Sequence, residues 1–493
     1  MKKSRVSVAC VIIFGVNCLL IAIVSATEIF PPPLARPQDR SRFQITTFAT
    51  RLKYPTSMIE LADGSLLVAT NAGGASWLSN YIFASPSASL VRLVDADRDG
   101  VADGPPEPIA TGLPGLVSSV RRVGDLVFAL SSGTGEKGIT ILRTGSTAAT
   151  PLTQVGRLGF SFPGSFSHAS YALATRPAAG GGVEVFFNIG AKENAASTPS
   201  STTVGLSASG DVSLTGVSAV MAADTIYRVI VTDSGTTLNV SEPTLIARGL
   251  RNAAGMTFDA SGNLYLQDNG IDGAGHDSLS ADELNRIAAA DIGSSVPDFG
   301  FAGTYVDYVT GTIVGPTEGI TQPLVAFRPI DGEKSEGAVE VALAPTSFPA
   351  DFAGGVFVAF SGKFNLGGLQ NDENPLVFVD TATNTPFHFI SNQLFGHPNG
   401  LLSTAGALYV SDLNYRGAFG GVSSAGEPAD QEGVIYRITY VPEPAAAILA
   451  LIGVGGVIAQ RRSRWRPSIG YSCRYDAAIA PPRARDFEGQ PAP

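Results

Sequence analysis

The chain has 493 residues and a formal net charge of −10, from 33 lysines and arginines against 43 aspartates and glutamates. An acidic balance of this kind argues against nucleic acid as a partner. Glycine is abundant, with 56 residues, and tryptophan and histidine are scarce, which is typical of turn-rich all-β proteins. The sequence contains no GxSxG, HExxH, Walker or CxxC motif, so serine hydrolase, zinc protease, nucleotide-binding and thiol-redox functions lack support.

The first 26 residues have the features of a targeting segment. A basic start is followed by an apolar stretch from Val6 to Val24 and by small residues at positions 24–26. This order predicts a cleaved signal peptide over residues 1–26, with a retained membrane anchor as the alternative. The three cysteines lie at positions 10, 18 and 473, so the domain between them cannot be stabilised by disulfides.

Six variants of one pattern follow, each with an apolar segment, a glycine-containing turn and an alternating strand. They begin at Pro55, Val117, His168, Asn252, Gly337 and His397. Each variant predicts two antiparallel strands, and intervals of roughly 50–85 residues leave room for two more. Radial repetition of four-stranded units is a β-propeller. The sequence therefore predicts an all-β fold, a six-bladed β-propeller of four-stranded antiparallel blades over residues 27–440.

Edge strands of such a ring need partners, and the alternating segments 43–48 and 433–439 bracket the repeats. We expect these two segments to pair and to close the ring. Residues 195–223, rich in Ser, Thr, Ala and Gly, are interpreted as an insertion, and residues 270–308 as a second long excursion.

An acidic loop, VDADRDGVADG, lies in the first repeat. It places Asp95, Asp97, Asp99 and Asp103 at alternating positions around Gly100. Oxygen ligands at positions 1, 3 and 5 with glycine at 6 suit calcium, although the glutamate that an EF-hand carries at position 12 is missing. The loop is similar to the short Asp-x-Asp-x-Asp-Gly loops of secreted bacterial proteins. It predicts a calcium site, and the alternative is a solvated acidic turn.

The fourth repeat, RGLRNAAGMTFDASGNLYLQDNGIDG followed by DELNRI, is the most specific segment. Its Gly-x-Arg-Asn at 249–252, Asp-Asn-Gly at 268–270 and Asp-Glu-Leu-Asn at 282–285 resemble the fourth blade of the glucose/sorbosone dehydrogenase family of six-bladed propellers. Weaker repeat similarity extends over most of residues 55–438. The better-known members of that family are aldose dehydrogenases that use pyrroloquinoline quinone (PQQ).

The resemblance implies a set of site residues. His168 falls where the family places the base that removes the sugar hydroxyl proton, and Arg251 and Asn252 fall where it contacts quinone oxygens. The backbone carbonyls of Gly270 and Ile271 fall where the cofactor calcium is held. A purely structural role is the alternative for His168 and for the Arg251–Asn252 pair.

Two other positions bear on cofactor binding. Lys363, in the strand end AFSGKFNLGG, matches the cofactor-binding lysine of the family. The sixth repeat departs from the family, because FGHPNGLL carries His397 and Asn399 in place of an arginine pair that clamps a quinone carboxylate. A tricarboxylate without that clamp would lose about 1.5–3 kcal/mol per missing charged hydrogen bond.

The composition changes at position 441. The segment VPEPAAAILALIGVGGVIAQRRSR combines Pro-Glu-Pro, an apolar run and an arginine cluster. It resembles the PEP-CTERM sorting signal of exopolysaccharide-producing Gram-negative bacteria, which implies transient insertion into the inner membrane and removal by an exosortase-type protease. An ordinary membrane anchor is the alternative. We predict a sorting signal with a transmembrane segment over 441–466 and a disordered tail over 467–493.

Two functions are open at this point. The first is an exported dehydrogenase, at the envelope or outer surface of a Gram-negative bacterium, that oxidises a sugar hydroxyl or aldehyde with a PQQ-type quinone and calcium. The second is a non-catalytic envelope propeller that binds glycans or proteins. Both predict a sugar or an extracellular polysaccharide as partner.

Overall fold

The structure, a computed structural model, describes residues 40–73, 85–133, 135–215, 220–271, 280–328, 337–361, 376–390, 396–413 and 433–442. It also gives the backbone of three short strands, Leu34–Ala35, Gly417–Ala418 and Val422–Ser423. The chain divides into two units, Met1–Val441 and Pro442–Pro493, and everything below concerns the first. The predicted signal peptide, most of the predicted sorting signal, the tail and Lys363 lie outside the described residues. Within the described part, no helix is long and apolar enough to cross a membrane.

Six antiparallel sheets form the blades of a β-propeller, which confirms the predicted fold class. Two N-terminal strands, β1 (Leu34–Ala35) and β2 (Phe43–Leu52), join later blades. Blade 1 contains β3 (Met58–Glu60), β4 (Leu66–Asn71), β5 (Ser87–Leu93) and β6 (Glu107–Pro114). Blade 2 contains β7 (Leu116–Val123), β8 (Leu126–Ser132), β9 (Lys137–Arg143) and β10 (Thr153–Ser161).

Blade 3 is linked to blade 2 by the segment that the sequence marks as an insertion. Its four antiparallel strands are β11 (Leu173–Pro177), β12 (Val183–Ile189), β16 (Thr225–Asp233) and β18 (Thr244–Arg248), and β17 (Leu238–Val240) also pairs with β16. The inserted strands are β13 (Thr203–Gly210), β14 (Val212–Leu214) and β15 (Val220–Ala222). Because β13 pairs with β10 and β14 pairs with β17, the insertion extends both blades.

Blades 4 and 5 follow the same plan. Blade 4 contains β19 (Ala253–Phe258), β20 (Leu264–Asp268), β21 (Asp282–Ile287) and β24 (Val325–Phe327), with the hairpin β22 (Tyr305–Val306) and β23 (Ile313–Val314) before its last strand. Blade 5 contains β25 (Ala338–Leu343), a 3₁₀ turn (Ala350–Phe352), β26 (Val356–Phe360), β27 (Leu376–Asp380) and β28 (Thr385–Ile390). The edge strand β28 is covered by β1 in parallel.

Blade 6 closes the ring with a strand from the opposite terminus. It contains β29 (Pro398–Ser403), β30 (Leu408–Asp412) and β33 (Gly433–Tyr440), and the hairpin β31 (Gly417–Ala418) and β32 (Val422–Ser423) lies between the last two. The N-terminal β2 is the fourth strand and pairs antiparallel with β33 from Phe43↔Tyr440 to Leu52↔Gly433. The predicted closing pair is confirmed, with two register shifts near the end of β2.

The first strand of every blade lines the centre of the ring. These strands contact one another in the order β3, β7, β11, β19, β25, β29 and back to β3. Each pairs antiparallel with the second strand of its blade, as the six sequence repeats predict. The connection is two to five residues long except in blade 5, where it contains the 3₁₀ turn. The pattern at Pro55 and its five counterparts therefore marks the inner hairpin of each blade.

The hydrophobic core lies between neighbouring blades. Six apolar clusters of buried side chains fill the spaces from blades 1 and 2 around to blades 6 and 1. The cluster between blades 5 and 6 is built on phenylalanines; Phe352, for example, lies 4.6 Å from the ring centroid of Phe378. Since each cluster needs two blades, a blade buries its faces only when both neighbours are in place.

An ion pair crosses the centre of the ring. Nη2 of Arg121, on β7, donates to both carboxylate oxygens of Glu340, on β25, at 3.0 and 2.9 Å. The same guanidinium donates to the carbonyl of Met256 at 3.2 Å and to Oγ of Ser57 at 3.4 Å. Arg121 therefore bonds to side chains or backbone from blades 1, 4 and 5. Burial raises the pKa of Glu340, and the charge of Arg121 opposes that rise.

Removing Arg121 should strongly destabilise the protein. Arg121→Ala leaves the Glu340 carboxylate, 3% exposed, without its cation, which typically costs about 3–5 kcal/mol. Arg143→Ala is the matched control, because its partners Asp125 and Asp233 are exposed and such pairs contribute about 0–1 kcal/mol. Urea unfolding measures both, and equal losses in the two variants would refute a special role for the central pair.

Candidate functional site

The fourth-blade motif forms a clamp at the end of the inner hairpin. Asp268 is the last residue of β20, and its two carboxylate oxygens accept the backbone N–H groups of Arg251 at 2.9 Å and Asn252 at 2.5 Å. Blade 6 repeats this arrangement, since Asp412 accepts the backbone N–H groups of Gly396 and His397 at 2.7 and 2.8 Å. The aspartate of the Asp-Asn-Gly strand end therefore has a structural role, which is to fix the backbone at the start of the inner hairpin.

Arg251 is almost completely buried, at 1% exposure. Its Nε donates to the carbonyl of Asn194 at 2.9 Å, and Nη1 donates to the carbonyl of Asn269 at 3.1 Å. Nη2 also bonds to the side-chain oxygen of Asn194. The guanidinium therefore ties the start of the insertion to the end of β20.

A chain of amides fixes the orientation of the Asn252 side chain. Nδ2 of Asn269 donates to the carbonyl of Ala338 at 2.6 Å, so its Oδ1 is free to accept from Nδ2 of Asn252 at 2.8 Å. The remaining atom, Oδ1 of Asn252, is therefore an acceptor. This oxygen is buried and has no partner among the described residues.

His168 lies close to this group. It precedes β11, and its backbone N–H donates to the carbonyl of Ala191 at 3.0 Å. Its Nε2 is buried and lacks a hydrogen-bond partner within the described ranges. Burial, followed by the charge of Arg251, lowers the pKa of His168 well below its ordinary value. The imidazole is consequently neutral near pH 7.

A pocket of about 280 Å³ lies beside Arg251. Of the sequence-predicted site residues it brings together Arg251, Gly270 and Ile271, whereas His168 and Asn252 lie outside its lining. The lining residues are Ala195, Ala196, Ser197, Gly249, Arg251, Asp268, Asn269, Gly270, Ile271, Ser280, Ala281, Glu283, Phe299, Phe301, Ala302, Thr304 and Tyr305. The pocket thus joins blade 4 to the insertion and to the stretch before β22.

The two residues predicted to offer carbonyl ligands are held by their N–H groups. Gly270 N–H donates to Asp282 at 2.8 Å, and Ile271 N–H donates to Oγ of Ser280 at 2.5 Å. A Cβ at position 270 would lie 2.0 Å from the carbonyl oxygen of Ser280, so only glycine fits there. The bonds set the backbone path at the pocket floor, and calcium binding at the two carbonyls stays a prediction.

Two carboxyl groups in the pocket have raised pKa values. Burial raises the pKa of Asp268 to about 7, against the opposing effect of the N–H groups that it accepts. Burial, followed by the charge of Asp268, raises the pKa of Glu283 to about 8. Both residues belong to the quoted motif, but sequence reasoning gave them no role. The sequence signal that could have identified them is the placement of two acidic residues at the adjoining ends of consecutive strands.

The predicted calcium loop lies at the other end of its blade. Asp95 follows β5, whose end pairs with the start of β4, whereas Asp268 stands at the end of the equivalent second strand in blade 4. Carboxylate oxygens of Asp95, Asp97 and Asp99 lie within 4.8 Å of one another, and Oδ1 of Asp95 is buried without a described partner. Asp103 instead accepts the backbone N–H of Ala96 at 2.6 Å.

The sixth-repeat positions are structural. His397 is fully buried, at 0% exposure, and its Nδ1 bonds to the carbonyl of Ser361. Nδ2 of Asn399 lies 3.4 Å from Oγ of Ser361. These contacts tie blade 6 to blade 5. Lys363, two residues beyond Ser361, lies outside the described residues.

No protein-family model and no curated protein matches the chain. Among solved structures, a Trichoderma reesei protein of carbohydrate-active enzyme family AA12 is 12% identical, with 85% of this chain and 100% of that chain covered and a TM-score of 0.49. The PQQ domain of Coprinopsis cinerea pyranose dehydrogenase is 13% identical, with 84% and 98% covered and a TM-score of 0.49. Streptomyces coelicolor aldose sugar dehydrogenase is 14% identical, with 83% and 99% covered and a TM-score of 0.45. Similarities this weak assign neither an activity nor a ligand.

The pocket carboxyls should make the protein less stable as pH rises. The pKa values of Asp268 and Glu283 lie above their unfolded values of 3.8 and 4.5, so between about pH 4 and pH 8 the folded protein binds more protons than the unfolded chain. The free energy of unfolding contributed by this pair falls through that window. Urea unfolding from pH 5 to pH 8 should show a shallower fall in Glu283→Gln than in the exposed control Glu242→Gln. Parallel slopes would contradict the assignment.

Proposed function

We propose that the protein is an exported propeller that binds a carbohydrate in the blade-4 pocket. The observation that carries this proposal is the lining, which combines the polar residues Arg251, Asp268 and Glu283 with the aromatic residues Phe299 and Tyr305. Sugars offer hydroxyl groups to polar partners and an apolar C–H face to aromatic rings. The volume of about 280 Å³ suits one sugar unit, and the acceptor-rich lining suits hydroxyl donors.

Export and sorting are part of the same proposal. They rest on the sequence features at 1–26 and 441–466, and the partners proposed from them are the inner membrane, an exosortase-type protease and an extracellular polysaccharide. A sugar-binding propeller delivered to the envelope or outer surface would meet its ligand there.

Sugar binding can be measured by calorimetric titration with neutral and amino hexoses and their short oligomers. Ser197→Trp fills the pocket from an exposed position and should weaken binding by at least about tenfold, or about 1.4 kcal/mol. Ser146→Trp, at another exposed serine, should leave binding unchanged. Absence of saturable binding across the panel would refute the proposed function.

Oxidation of the bound sugar is the second candidate function, and His168 is the observation that favours it. Nε2 of His168 is buried and has no partner among the described residues, and a neutral imidazole can act as a general base towards a hydroxyl group. The lowered pKa weakens that base, and His168 lies outside the pocket lining. The described residues do not fit PQQ, however. Arg251 is the only cation among the described lining residues, and three of its five donors are bonded to oxygens of Asn194 and Asn269. Asp268 and Glu283 would repel a tricarboxylate.

The test of this candidate is a PQQ titration with calcium present. Saturable binding that Arg251→Ala and His168→Ala weaken would support this candidate and justify a test for sugar oxidation. Absence of binding would leave the carbohydrate-binding function alone.

We also propose that Asp95, Asp97 and Asp99 bind calcium and stabilise the fold. A ligand at one hundred times its Kd adds about 2.7 kcal/mol to the free energy of unfolding. Calcium should therefore raise the unfolding midpoint of the protein, and Asp97→Asn with Asp99→Asn should abolish the response. Magnesium should act more weakly, because it dehydrates reluctantly. An unchanged midpoint with calcium and with chelator would exclude the site.

A further inference from the structure

The blade-4 pocket contains two acidic side chains set directly opposite each other. Asp268 on β20 pairs in register with Glu283 on β21, and both residues line the pocket. Side chains at such positions have Cβ atoms about 4.5–5.5 Å apart, and like charges there destabilise a sheet. Asp268 is only 7% exposed, so water screens this repulsion poorly.

The protein itself compensates this pair only in part. The oxygens of Asp268 accept the backbone N–H groups of Arg251 and Asn252. Oε2 of Glu283 accepts from Nδ2 of Asn285 at 3.3 Å, and all of these donors are uncharged. Nε and Nη1 of Arg251 are directed to the carbonyls of Asn194 and Asn269. Asp282 stands behind the pocket floor and accepts the N–H of Gly270, which adds a third negative charge. A positively charged ligand would relieve the repulsion.

We propose that the pocket selects an amino sugar, whose ammonium group lies between the carboxylates of Asp268 and Glu283. This inference rests on the proposed carbohydrate-binding function and names the ligand class of that site. An ammonium offers three hydrogen-bond donors and no acceptor, which matches two facing carboxylates. The sugar ring packs against Phe299, Phe301 and Tyr305, which line the same pocket, and aromatic faces also attract cations.

A bare metal ion fits this pocket less well. Calcium takes six to eight oxygen ligands, and the acidic side chains of the described chain that converge closely enough for a metal are those of Asp95, Asp97 and Asp99. The pocket volume of about 280 Å³ is roughly nine times the 30 Å³ share of one water. A site of that size accommodates a ring and its ammonium substituent.

Calorimetric titration of the protein at pH 7 should compare short oligomers of glucosamine, N-acetylglucosamine, glucose and glucuronic acid. We expect the glucosamine oligomer to bind at least about tenfold more tightly than its acetylated and neutral counterparts, and the glucuronic acid oligomer to bind most weakly. Binding of the ammonium should also release protons from the carboxyls, so the measured heat should differ between buffers with different ionisation enthalpies.

Two variants distinguish an effect of the pocket carboxyls on ligand preference from an effect of the overall negative charge of the chain. Glu283→Gln should reduce the preference for glucosamine over glucose to within about twofold, whereas Glu136→Gln, which removes the same charge from an exposed side chain, should retain the full preference. Equal affinity for glucosamine and glucose oligomers would overturn the inference and leave the carbohydrate site standing. Binding of none of the four would remove both. Calcium binding that Glu283→Gln abolishes, without glucosamine preference, would also overturn it in favour of a metal site.

Discussion

The pairing of β2 with β33 is the constraint on which the rest of the structure depends. The domain has no cysteine between positions 18 and 473, so the ring is closed by backbone hydrogen bonds between two segments almost four hundred residues apart. Each of the six largest apolar clusters of the core lies between two blades, and the one between blades 6 and 1 combines Phe48 and Ile435 from these two strands. Opening the pair would expose two strand edges and that cluster together. Closure therefore makes the six blades one cooperative unit.

Polar side chains at the ends of the inner hairpins also hold neighbouring blades together. Asn71 accepts the N–H of Val117, Asn269 donates to the carbonyl of Ala338, and Ser361 donates to the carbonyl of Pro398. Each of these bonds joins one blade to the next at the same face. The fourth-blade residues that resemble a catalytic motif belong to this series, because Asp268 holds the backbone of Arg251 and Asn252. These residues therefore have a structural role, and the unpartnered buried atoms beside them, His168 Nε2 and Asn252 Oδ1, lie outside the pocket lining.

The fold could be predicted from the sequence because each blade repeats a local pattern, and the closing strands because they alternate and bracket the repeats. The candidate site was harder to predict from the sequence. His168, Arg251 and Asn252 were found through a motif, but the pocket walls formed by Ala195, Ser197 and the residues around Phe301 carry no periodic signal. From the sequence, Glu283 is an ordinary acidic residue in a strand. That it lies opposite Asp268 depends on the register of the two strands, which the sequence does not specify. Arg121 and Glu340 lie 219 positions apart, and nothing local relates them.

The insertion between β12 and β16 contributes to the pocket but not to the strand pair that closes the ring. Its strands are anchored twice, on β10 and on β17, while Ala195, Ala196 and Ser197 form part of the pocket wall. Loop-closure entropy grows only slowly with length, and this segment contributes nothing to ring closure. Changes in its length or sequence can therefore reshape the pocket while the β2–β33 pair and the central ion pair remain intact. One scaffold of this kind can diversify its ligands by exchanging a single segment.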